Sequence, residues 1–307
     1  MSDKPVIGFI GLGYMGHGMA KNIIQNGYAL YVKGNRNRTP VERLVGMGAT
    51  EVASPKAMAE ACDIIHICLS NSAQVEGIMR GPDGILASGK AGLVVIDATT
   101  ADPVSTEALA AEMAEVGMHM VDAPLGRTPK EAEAGTLDVM VGADADVFAR
   151  VLPVIECWGG NINHVGPVGA GHKMKLIMNF ISMGYAAMYA EAVTLAAKSG
   201  LSPQTVNTVI GGSRLNNGFF ETFMRYAVGR DKNAHLFSIA NASKDVRYAA
   251  NMAMANGVVN PIGAAIRNSF ASAEAVGKGG HYVPMLADHI AEINGLDLAE
   301  EVKKGEG

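Results

Sequence analysis

The first half of the chain alternates short apolar runs with amphipathic stretches of helical period. Each run has the length of a buried strand, and the stretches between the runs are long enough for helices. Two of those helices carry start signals, because Ser54-Pro55 and Asp102-Pro103 each place a capping side chain before a proline. Alternating strands and helices predict a largely parallel sheet that is covered on both faces. The predicted strands are Val6–Ile10, Ala29–Lys33, Ile64–Leu69, Leu93–Asp97, Met118–Ala123 and Leu137–Gly142.

The hydrophobic pattern changes near residue 165. A glycine-rich loop, Val165–Gly171, precedes about thirty residues of helical period that end near Gly200. Only helical patterns follow, and Ser202-Pro203 and Asn260-Pro261 open two of them. We therefore predict an α/β domain over residues 1–166 and an all-α domain over residues 167–307. The second domain begins with a long connecting helix.

Composition limits the class of protein. Of 307 residues, 49% are hydrophobic and 18% are charged, which excludes a disordered chain. The formal net charge is −5 and no run of Lys or Arg occurs, so we expect neither a nucleic-acid partner nor a membrane partner. The low charge predicts a surface that is covered in a homodimer or homotetramer. Three cysteines without a C-x-x-C pair predict a cytoplasmic protein that has neither disulfides nor a metal site.

The residues that follow the first predicted strand fit the dinucleotide-binding fingerprint G-x-G-x-x-G. Gly11 permits the tight turn, Gly13 lets the backbone approach a pyrophosphate, and Gly16 allows close packing of helix on strand. The N-terminus of the next helix attracts phosphate groups. A sharp turn alone would also need glycines, but the strand–turn–helix context favours a Rossmann domain that binds a nicotinamide cofactor. The segment is Gly11-Leu12-Gly13-Tyr14-Met15-Gly16.

The loop after the second predicted strand bears on the choice of cofactor. NAD sites usually carry an acidic residue there, which binds the ribose 2′-hydroxyl, whereas this chain has Gly34. Asn35, Arg36 and Arg38 follow, and such side chains bind a 2′-phosphate that a carboxylate would repel. The sequence favours NADP over NAD, although ordinary loop arginines would give the same pattern. It does not decide which arginine faces the adenosine.

One lysine and one asparagine interrupt the apolar sequence of the long predicted helix. Lys175 and Asn179 are four residues apart and hence share a face. Buried polar groups are costly unless they are paired, so this pair requires an explanation. Hydride transfer to a carbonyl provides one, because a lysine ammonium stabilises the negative oxygen and donates the proton. A lysine that reaches solvent and a hydrogen-bonded core asparagine would explain the pair equally well.

These motifs together resemble the β-hydroxyacid dehydrogenase family over nearly the whole chain. The opening Gly8–Gly16, the segment Asp97–Thr100, the run Gly169–Asn179 and the pair Lys244-Asp245 each match a family motif. The resemblance implies a Rossmann domain, a long connecting helix and a C-terminal helical domain. It also implies the NAD(P)-dependent interconversion of a short β-hydroxy acid and its semialdehyde.

The resemblance further implies roles for single residues. Lys175 becomes the general acid and base, Asn179 becomes its supporting amide, and both contact the substrate. Thr99 is expected to contact the substrate as well. The remaining implied contacts are to the cofactor, and they are made by Leu69, Ser70, Asn71, Thr100 and Lys244.

One departure from the family pattern concerns the substrate loop. The family's usual D-A-P-V-S-G-G is replaced by a segment that ends in Gly126-Arg127-Thr128, which resembles the sulfolactaldehyde reductase branch. That branch tends to use NAD rather than NADP. Arg127 is suited to a carboxylate, sulfonate or phosphate, and Thr128 adds a hydroxyl donor, so we predict that all three residues contact the substrate. A salt bridge from Arg127 to Glu131 or Glu133 is the alternative.

We therefore expect an NAD(P)-dependent oxidoreductase that acts on a small anionic hydroxy acid, or its sulfonate analogue, and the corresponding semialdehyde. Two alternatives remain open. An imine reductase-like enzyme shares the architecture but usually lacks the lysine, and a nucleotide-sensing protein on the same fold would catalyse no reaction.

Overall fold

The computed structural model describes residues 4–305. The chain forms two compact units, the first ending at Lys175 and the second beginning at Leu176. The division falls inside the long helix, later than the boundary between residues 166 and 167 that the sequence suggests. The first turn of that helix packs on the sheet of the first unit, because a Cβ at Gly171 would lie 2.3 Å from the carbonyl oxygen of Met140.

A largely parallel sheet forms the centre of the first unit, as predicted. Its strands are β1 (Ile7–Ile10), β2 (Leu30–Lys33), β3 (Thr50–Glu51), β4 (Ile64–Ile67), β5 (Val94–Asp97), β6 (His119–Asp122), β7 (Leu125–Gly126), β8 (Leu137–Gly142) and β9 (Gly159–Gly166). The order β3-β2-β1-β4-β5-β6 reverses between β1 and β4, which is the doubly wound arrangement. Ile10 is in register with Lys33 and Ile67, so three strands end at one edge. Ligands bind outside the carboxyl ends of strands at such a reversal.

Three strands are absent from the sequence prediction. Strands β3 and β7 contain two residues each, too few for a hydrophobic pattern. Strand β9 is largely exposed, so it lacks the apolar run of a buried strand. Strand β8 pairs antiparallel with β6 and β7 and parallel with β9, which makes this edge of the sheet mixed.

Helices and apolar clusters cover both faces of the sheet. Val94 and Ile96 belong to one cluster and Val95 to the other, because successive side chains of a strand point to opposite faces. Two predicted caps are confirmed, since Ser54 accepts the N–H of Ala57 and Asp102 accepts the N–H of Val104. The helices of this unit are α1 (Gly16–Gln25), α2 (Thr39–Gly46), α3 (Pro55–Ala61), α4 (Ser72–Arg80), α5 (Pro103–Glu115), α6 (Pro129–Ala134) and α7 (Ala145–Ile155).

The second unit is helical, and between residues 176 and 305 the structure contains no strand beyond one isolated bridge. Its core packs Met183, Ala186 and Ala190 of the long helix against Phe220 and Phe270. The helices are α8 (Ala170–Lys198), α9 (Pro203–Gly211), α10 (Gly218–Ala227), α11 (Ile239–Ala255), α12 (Pro261–Ala275), α13 (Leu286–Ile293) and α14 (Leu298–Lys304). Helix α8 thus confirms the long helix that the sequence predicts.

One face of α8 is exposed in the single chain. Its apolar residues Ile177, Met178, Ile181, Met188 and Leu195 are between 43% and 68% exposed. They share a face because their spacing follows the helical period. By length and composition α8 could cross a membrane, but core helices of soluble proteins meet the same criterion. Contiguous exposed apolar residues are typical of a surface that another protein chain covers.

Candidate active site

The glycine-rich turn between β1 and α1 has the geometry that the fingerprint requires. Gly11 has a φ of +100°, and a Cβ there would lie 2.1 Å from the carbonyl oxygen of Cys68. A Cβ at Gly16 would lie 1.9 Å from the carbonyl oxygen of Gly11. Gly13 differs, because no described atom lies within 4 Å of its Cβ position. Packing therefore requires two of these glycines, while Gly13 leaves its backbone open to an approaching group.

The surroundings of this turn fit the pyrophosphate of a dinucleotide. Helix α1 begins at Gly16, and its first N–H groups and its dipole favour an anion. The first turn of α1 contains no acidic residue that would oppose one. Leu12 and Met15 are partly buried against the core, whereas Tyr14 is 90% exposed beside Gly13.

The loop after β4 lies against the glycine turn, and neighbouring side chains hold its backbone. The N–H of Leu69 donates to Thr99 Oγ1 at 3.0 Å, and the N–H of Ser70 donates to Gln74 Oε1 at 3.2 Å. Asn71 Oδ1 accepts the N–H of Gln74 at 3.0 Å and caps α4. Because Asn71 Oδ1 is used by this cap, the side-chain nitrogen Nδ2 of Asn71 is the atom that can bind a ligand.

Thr99 supports this loop from inside the protein. The residue is 1% exposed, and its own N–H donates to Asp97 Oδ1 at 2.9 Å. Burial raises the pKa of the Asp97 carboxyl. The Thr99 hydroxyl is buried and positions Leu69, whereas the contact between Thr99 and substrate stays a prediction. Thr100, the next residue, is half-buried.

The loop after β2 places its two arginines in different environments. Arg38 donates from Nη1 and Nη2 to the two carboxylate oxygens of Glu51, each at 2.7 Å. Asn35 and Arg36 are exposed, and in the described part of the chain no carboxylate pairs with Arg36. Sequence reasoning missed Glu51, because β3 has only two residues and no pattern marks it.

The substrate loop holds Arg127 in a left-handed conformation, with a φ of +76°. Arg127 Nε donates to Asp138 Oδ2 at 2.9 Å, so a salt bridge forms, but its partner is neither Glu131 nor Glu133. Among residues 4–305, Nη1 and Nη2 of Arg127 make no hydrogen bond, and half of the side chain is exposed. The end of the guanidinium can therefore bind an anion through two parallel N–H groups.

Thr128 caps helix α6, and its contact with the substrate stays a prediction. Its hydroxyl donates to Glu131 Oε2 at 2.5 Å and accepts the N–H of Lys130 at 3.3 Å. The N–H of Thr128 donates to the same carboxylate oxygen at 3.1 Å, which completes a capping box for α6. Gly126 pairs with Asp138 in the sheet, where a Cβ would meet that side chain at 3.1 Å.

Asp122 fixes the start of α8. The carboxylate is buried and accepts the N–H of Gly169 at 2.6 Å and the N–H of His172 at 2.7 Å. Gly169 has a φ of +91°, and a Cβ at Gly171 would lie 2.8 Å from Asp122 Oδ2. Gly171 thus allows the close approach of the helix to this carboxylate, while Gly169 supplies the left-handed backbone before it. No short pattern in the sequence indicates this role for Asp122.

The second unit holds Asn179 in a polar cluster. Asn179 Nδ2 donates to Asp245 Oδ2 at 2.6 Å, and Lys244 Nζ lies 3.2 Å from Asp245 Oδ1. Asp245 is buried, and Lys244 also lies 5.5 Å from the ring centre of Tyr248. The predicted supporting amide is therefore itself oriented by the late Lys-Asp pair.

The described residues form neither a metal-binding cluster nor a disulfide. Between residues 4 and 305, no group of three His, Cys, Asp or Glu residues could hold a metal ion. The three cysteines are unpaired. Burial raises the pKa of Cys68, beside the glycine turn, to about 12, so its thiol stays protonated at neutral pH.

Family comparisons cover both units. Residues 6–166 match the family described as the NAD binding domain of 6-phosphogluconate dehydrogenase. Residues 169–287 match the family described as NAD-binding of NADP-dependent 3-hydroxyisobutyrate dehydrogenase.

Single relatives match along most of their length. The chain is 37% identical to 2-(hydroxymethyl)glutarate dehydrogenase of Eubacterium barkeri, over 91% of this chain and 92% of that protein. It is 34% identical to 3-sulfolactaldehyde reductase of Escherichia coli, over 89% and 91%. A structure of 3-hydroxyisobutyrate dehydrogenase from Mycobacterium tuberculosis with L-serine superposes with a TM-score of 0.83. That pair is 26% identical and covers 93% of this chain and 99% of the other.

The open position at Gly13 allows binding to be separated from folding. Gly13→Ala should leave the free energy of unfolding within about 0.5 kcal/mol of wild type, because the methyl group meets no protein atom. It should weaken NAD(P) binding about tenfold or more, because the methyl group occupies the approach to the backbone. Calorimetric titration and urea denaturation measure the two quantities. Gly77→Ala, at another open position but inside α4, should keep the cofactor affinity and raise the free energy of unfolding by up to about 1 kcal/mol. Unaltered cofactor affinity in Gly13→Ala would contradict the assignment.

Proposed function

The chain belongs to the β-hydroxyacid dehydrogenase family, and on that premise we propose which substrate class and which cofactor it takes. It is an NAD(P)-dependent oxidoreductase that interconverts a hydroxy acid and its semialdehyde. We propose a short β-hydroxy acid or a sulfonate analogue as substrate. The proposal rests chiefly on the positions of Lys175 and Asn179, which lie one turn apart on α8. It is supported by the glycine turn of the same chain, whose geometry fits a dinucleotide.

Lys175 is the proposed general acid and base. A bound nicotinamide would supply the chemistry of hydride transfer to and from the substrate carbon. In reduction, the Lys175 ammonium stabilises the negative charge that grows on the carbonyl oxygen and gives that oxygen a proton from Nζ. In oxidation, the neutral amine takes the proton of the alcohol. The Asp122 contacts with the first turn of α8 support a fixed position for Lys175.

Asn179 is the proposed supporting amide. Its Nδ2 is held by Asp245, so the orientation of the side chain is set before any substrate arrives. An amide oriented in this way can hydrogen-bond the substrate hydroxyl through its other atom, Oδ1. Preorganised polar groups of this kind lose little entropy on binding, which favours the reactive geometry.

Arg127 is the proposed ligand of the acid group. Asp138 holds its Nε, and the outer two nitrogens have the planar, forked geometry that matches a carboxylate or sulfonate. The relatives named for 2-(hydroxymethyl)glutarate and 3-sulfolactaldehyde both act on compounds of this anionic class. Gly126 precedes Arg127, and we propose that its backbone contacts the same substrate.

For the cofactor we propose NADP over NAD. No carboxylate pairs with Arg36 among the described residues, and Asn35 precedes it in the same exposed loop. Arg38 is committed to Glu51, so we assign the 2′-phosphate contact to Arg36. The remaining proposed cofactor contacts are those of Leu12, Tyr14, Met15, Leu69, Ser70, Asn71, Thr100 and Lys244.

We propose a homodimer or homotetramer in the cytoplasm. The exposed apolar face of α8 supports assembly, because leaving it in water would be costly for a chain with so few charges. The unpaired cysteines fit a reducing compartment. The mass of the wild-type protein in solution tests the assembly.

Of the alternatives, imine reduction is less well supported by this chain, because Lys175 stands where that group usually lacks a lysine. A nucleotide sensor would bind NAD(P) without needing an oriented Asn179 beside a lysine. Among the described residues, no observation favours imine reduction or nucleotide sensing over the proposed reaction.

Removal of the lysine amine tests the proposed chemistry. Lys175→Ala should lower kcat by a factor of about 10²–10⁴, because general acid–base catalysis contributes that much. Cofactor affinity should stay near the wild-type value. The assay follows oxidation of NADPH or NADH with a panel of semialdehydes. Lys173→Ala removes a neighbouring exposed amine that pairs with Glu107 and should keep kcat, whereas wild-type turnover in Lys175→Ala would refute the role.

Removal of the guanidinium tests the proposed anion contact. Arg127→Ala should raise KM for the acid substrate by about 10- to 100-fold with a smaller effect on kcat, because a charge-assisted hydrogen bond is lost on binding. Arg127→Lys should restore part of the affinity, since it keeps the charge but not the fork. Steady-state kinetics measure both parameters. Lys130→Ala, which removes an exposed cation from the adjoining first turn of α6, should match wild type, and an unchanged KM in Arg127→Ala would exclude the contact.

A further inference from the structure

We propose that Glu51 limits the preference of this protein for NADP by holding Arg38 away from the 2′-phosphate of the cofactor. The inference rests on the proposed binding of a nicotinamide dinucleotide at the glycine turn. It names Glu51 as a specificity-determining residue that works through its neighbour rather than through the reacting atoms.

The pair formed by Arg38 and Glu51 has the geometry of a complete fork. Both terminal nitrogens of the guanidinium donate to the carboxylate, at 2.7 Å each, which is the arrangement that a phosphate would otherwise occupy. Arg38 cannot offer the same two nitrogens to a phosphate while this pair is intact. A cofactor phosphate must therefore break the pair or bind elsewhere.

The position of the pair connects it to the cofactor loop. A Cβ at Gly34 would lie 2.1 Å from Arg38 Nη1 and 2.5 Å from Glu51 Oε1, so both groups lie directly on that glycine. Gly34 follows β2, where NAD-binding chains carry the acid for the ribose hydroxyl. Here the carboxylate arrives from β3 instead, because Glu51 is in register with Val32 of β2.

The electrostatic surroundings keep this carboxylate charged. The hydrogen bonds from Arg38 hold the pKa of Glu51 below its ordinary value, and the N–H of Gly34 and the charge of Lys33 act in the same direction. A negative Glu51 at the end of β2 repels a 2′-phosphate, while the ribose hydroxyl of NAD carries no charge to repel. The positive charge of Arg36 attracts the 2′-phosphate and opposes this repulsion. The two arginines of the loop thus contribute unequally, and Glu51 is the cause.

The competing explanation is that the ion pair of Arg38 and Glu51 only stabilises the fold. A half-exposed ion pair contributes little to stability, and its loss would weaken the binding of NADP and NAD alike. The specificity role instead requires the ratio of the two affinities to change. This difference decides between the explanations without any measurement of turnover.

The experiment measures dissociation constants of NADP+ and NAD+ by calorimetric titration. Glu51→Gln should tighten NADP+ binding about tenfold and change NAD+ binding by less than about twofold. The fragment 2′,5′-ADP should follow NADP+, and 5′-AMP should follow NAD+. Glu60→Gln removes an exposed carboxylate from α3 with the same change in net charge, and it should leave the ratio of affinities at the wild-type value.

A second variant tests the part assigned to Arg38. In Glu51→Gln combined with Arg38→Gln, the gain in NADP+ affinity should disappear, because no guanidinium is released. An unchanged affinity ratio in Glu51→Gln, or a gain that survives in the double variant, would overturn the proposal. If wild type bound neither NADP+ nor NAD+, the proposed function itself would fail, whereas binding of both with an unaltered ratio would refute the role of Glu51 alone.

Discussion

The buried carboxylate of Asp122 determines where helix α8 begins. It accepts two backbone N–H groups, from Gly169 and His172, in a place where unpaired donors would be costly. A cap of this kind removes freedom from the first turn of the helix that carries Lys175. Gly171 follows from it, because the helix cannot come this close to the carboxylate with a larger side chain there. Gly169 is explained by its positive φ. The position of the proposed acid and base thus depends on an interaction made one turn earlier.

Contacts within the protein also determine the shape of the cofactor turn. Gly11 and Gly16 are required by contacts within the protein, while a Cβ at Gly13 would meet no side chain or backbone of another described residue within 4 Å. The shape of the turn is therefore complete before a ligand binds. Thr99 and Asn71 hold the adjoining loop, and their oxygens are used by backbone donors. The structure therefore separates residues that build the site from residues whose groups can reach a ligand. Several residues that a motif search places in the site belong to the first group.

Local features could be predicted from the sequence, and long-range ones could not. The glycine turn, the caps at Ser54 and Asp102, and helix α8 follow from short patterns, because their causes lie within a few residues. The pairs of Arg38 with Glu51 and of Arg127 with Asp138 join a loop to a strand 13 and 11 residues away, and no pattern encodes such a partner. Strands β3, β7 and β9 were missed because they are short or exposed. A motif also does not reveal that the hydroxyls of Thr99 and Thr128 already form hydrogen bonds within the protein.

The most direct test of the central claim is the turnover of an Asp122→Asn variant, with its cofactor affinity measured in parallel. Asparagine keeps one acceptor and faces the other N–H with a donor, so the first turn of α8 should shift. A misplaced lysine should lower kcat by about a hundredfold, since small displacements have effects of that size. Cofactor affinity should stay near wild type, because the glycine turn does not use Asp122. Turnover equal to that of an Asp83→Asn control, or an equal loss of cofactor binding, would contradict the account.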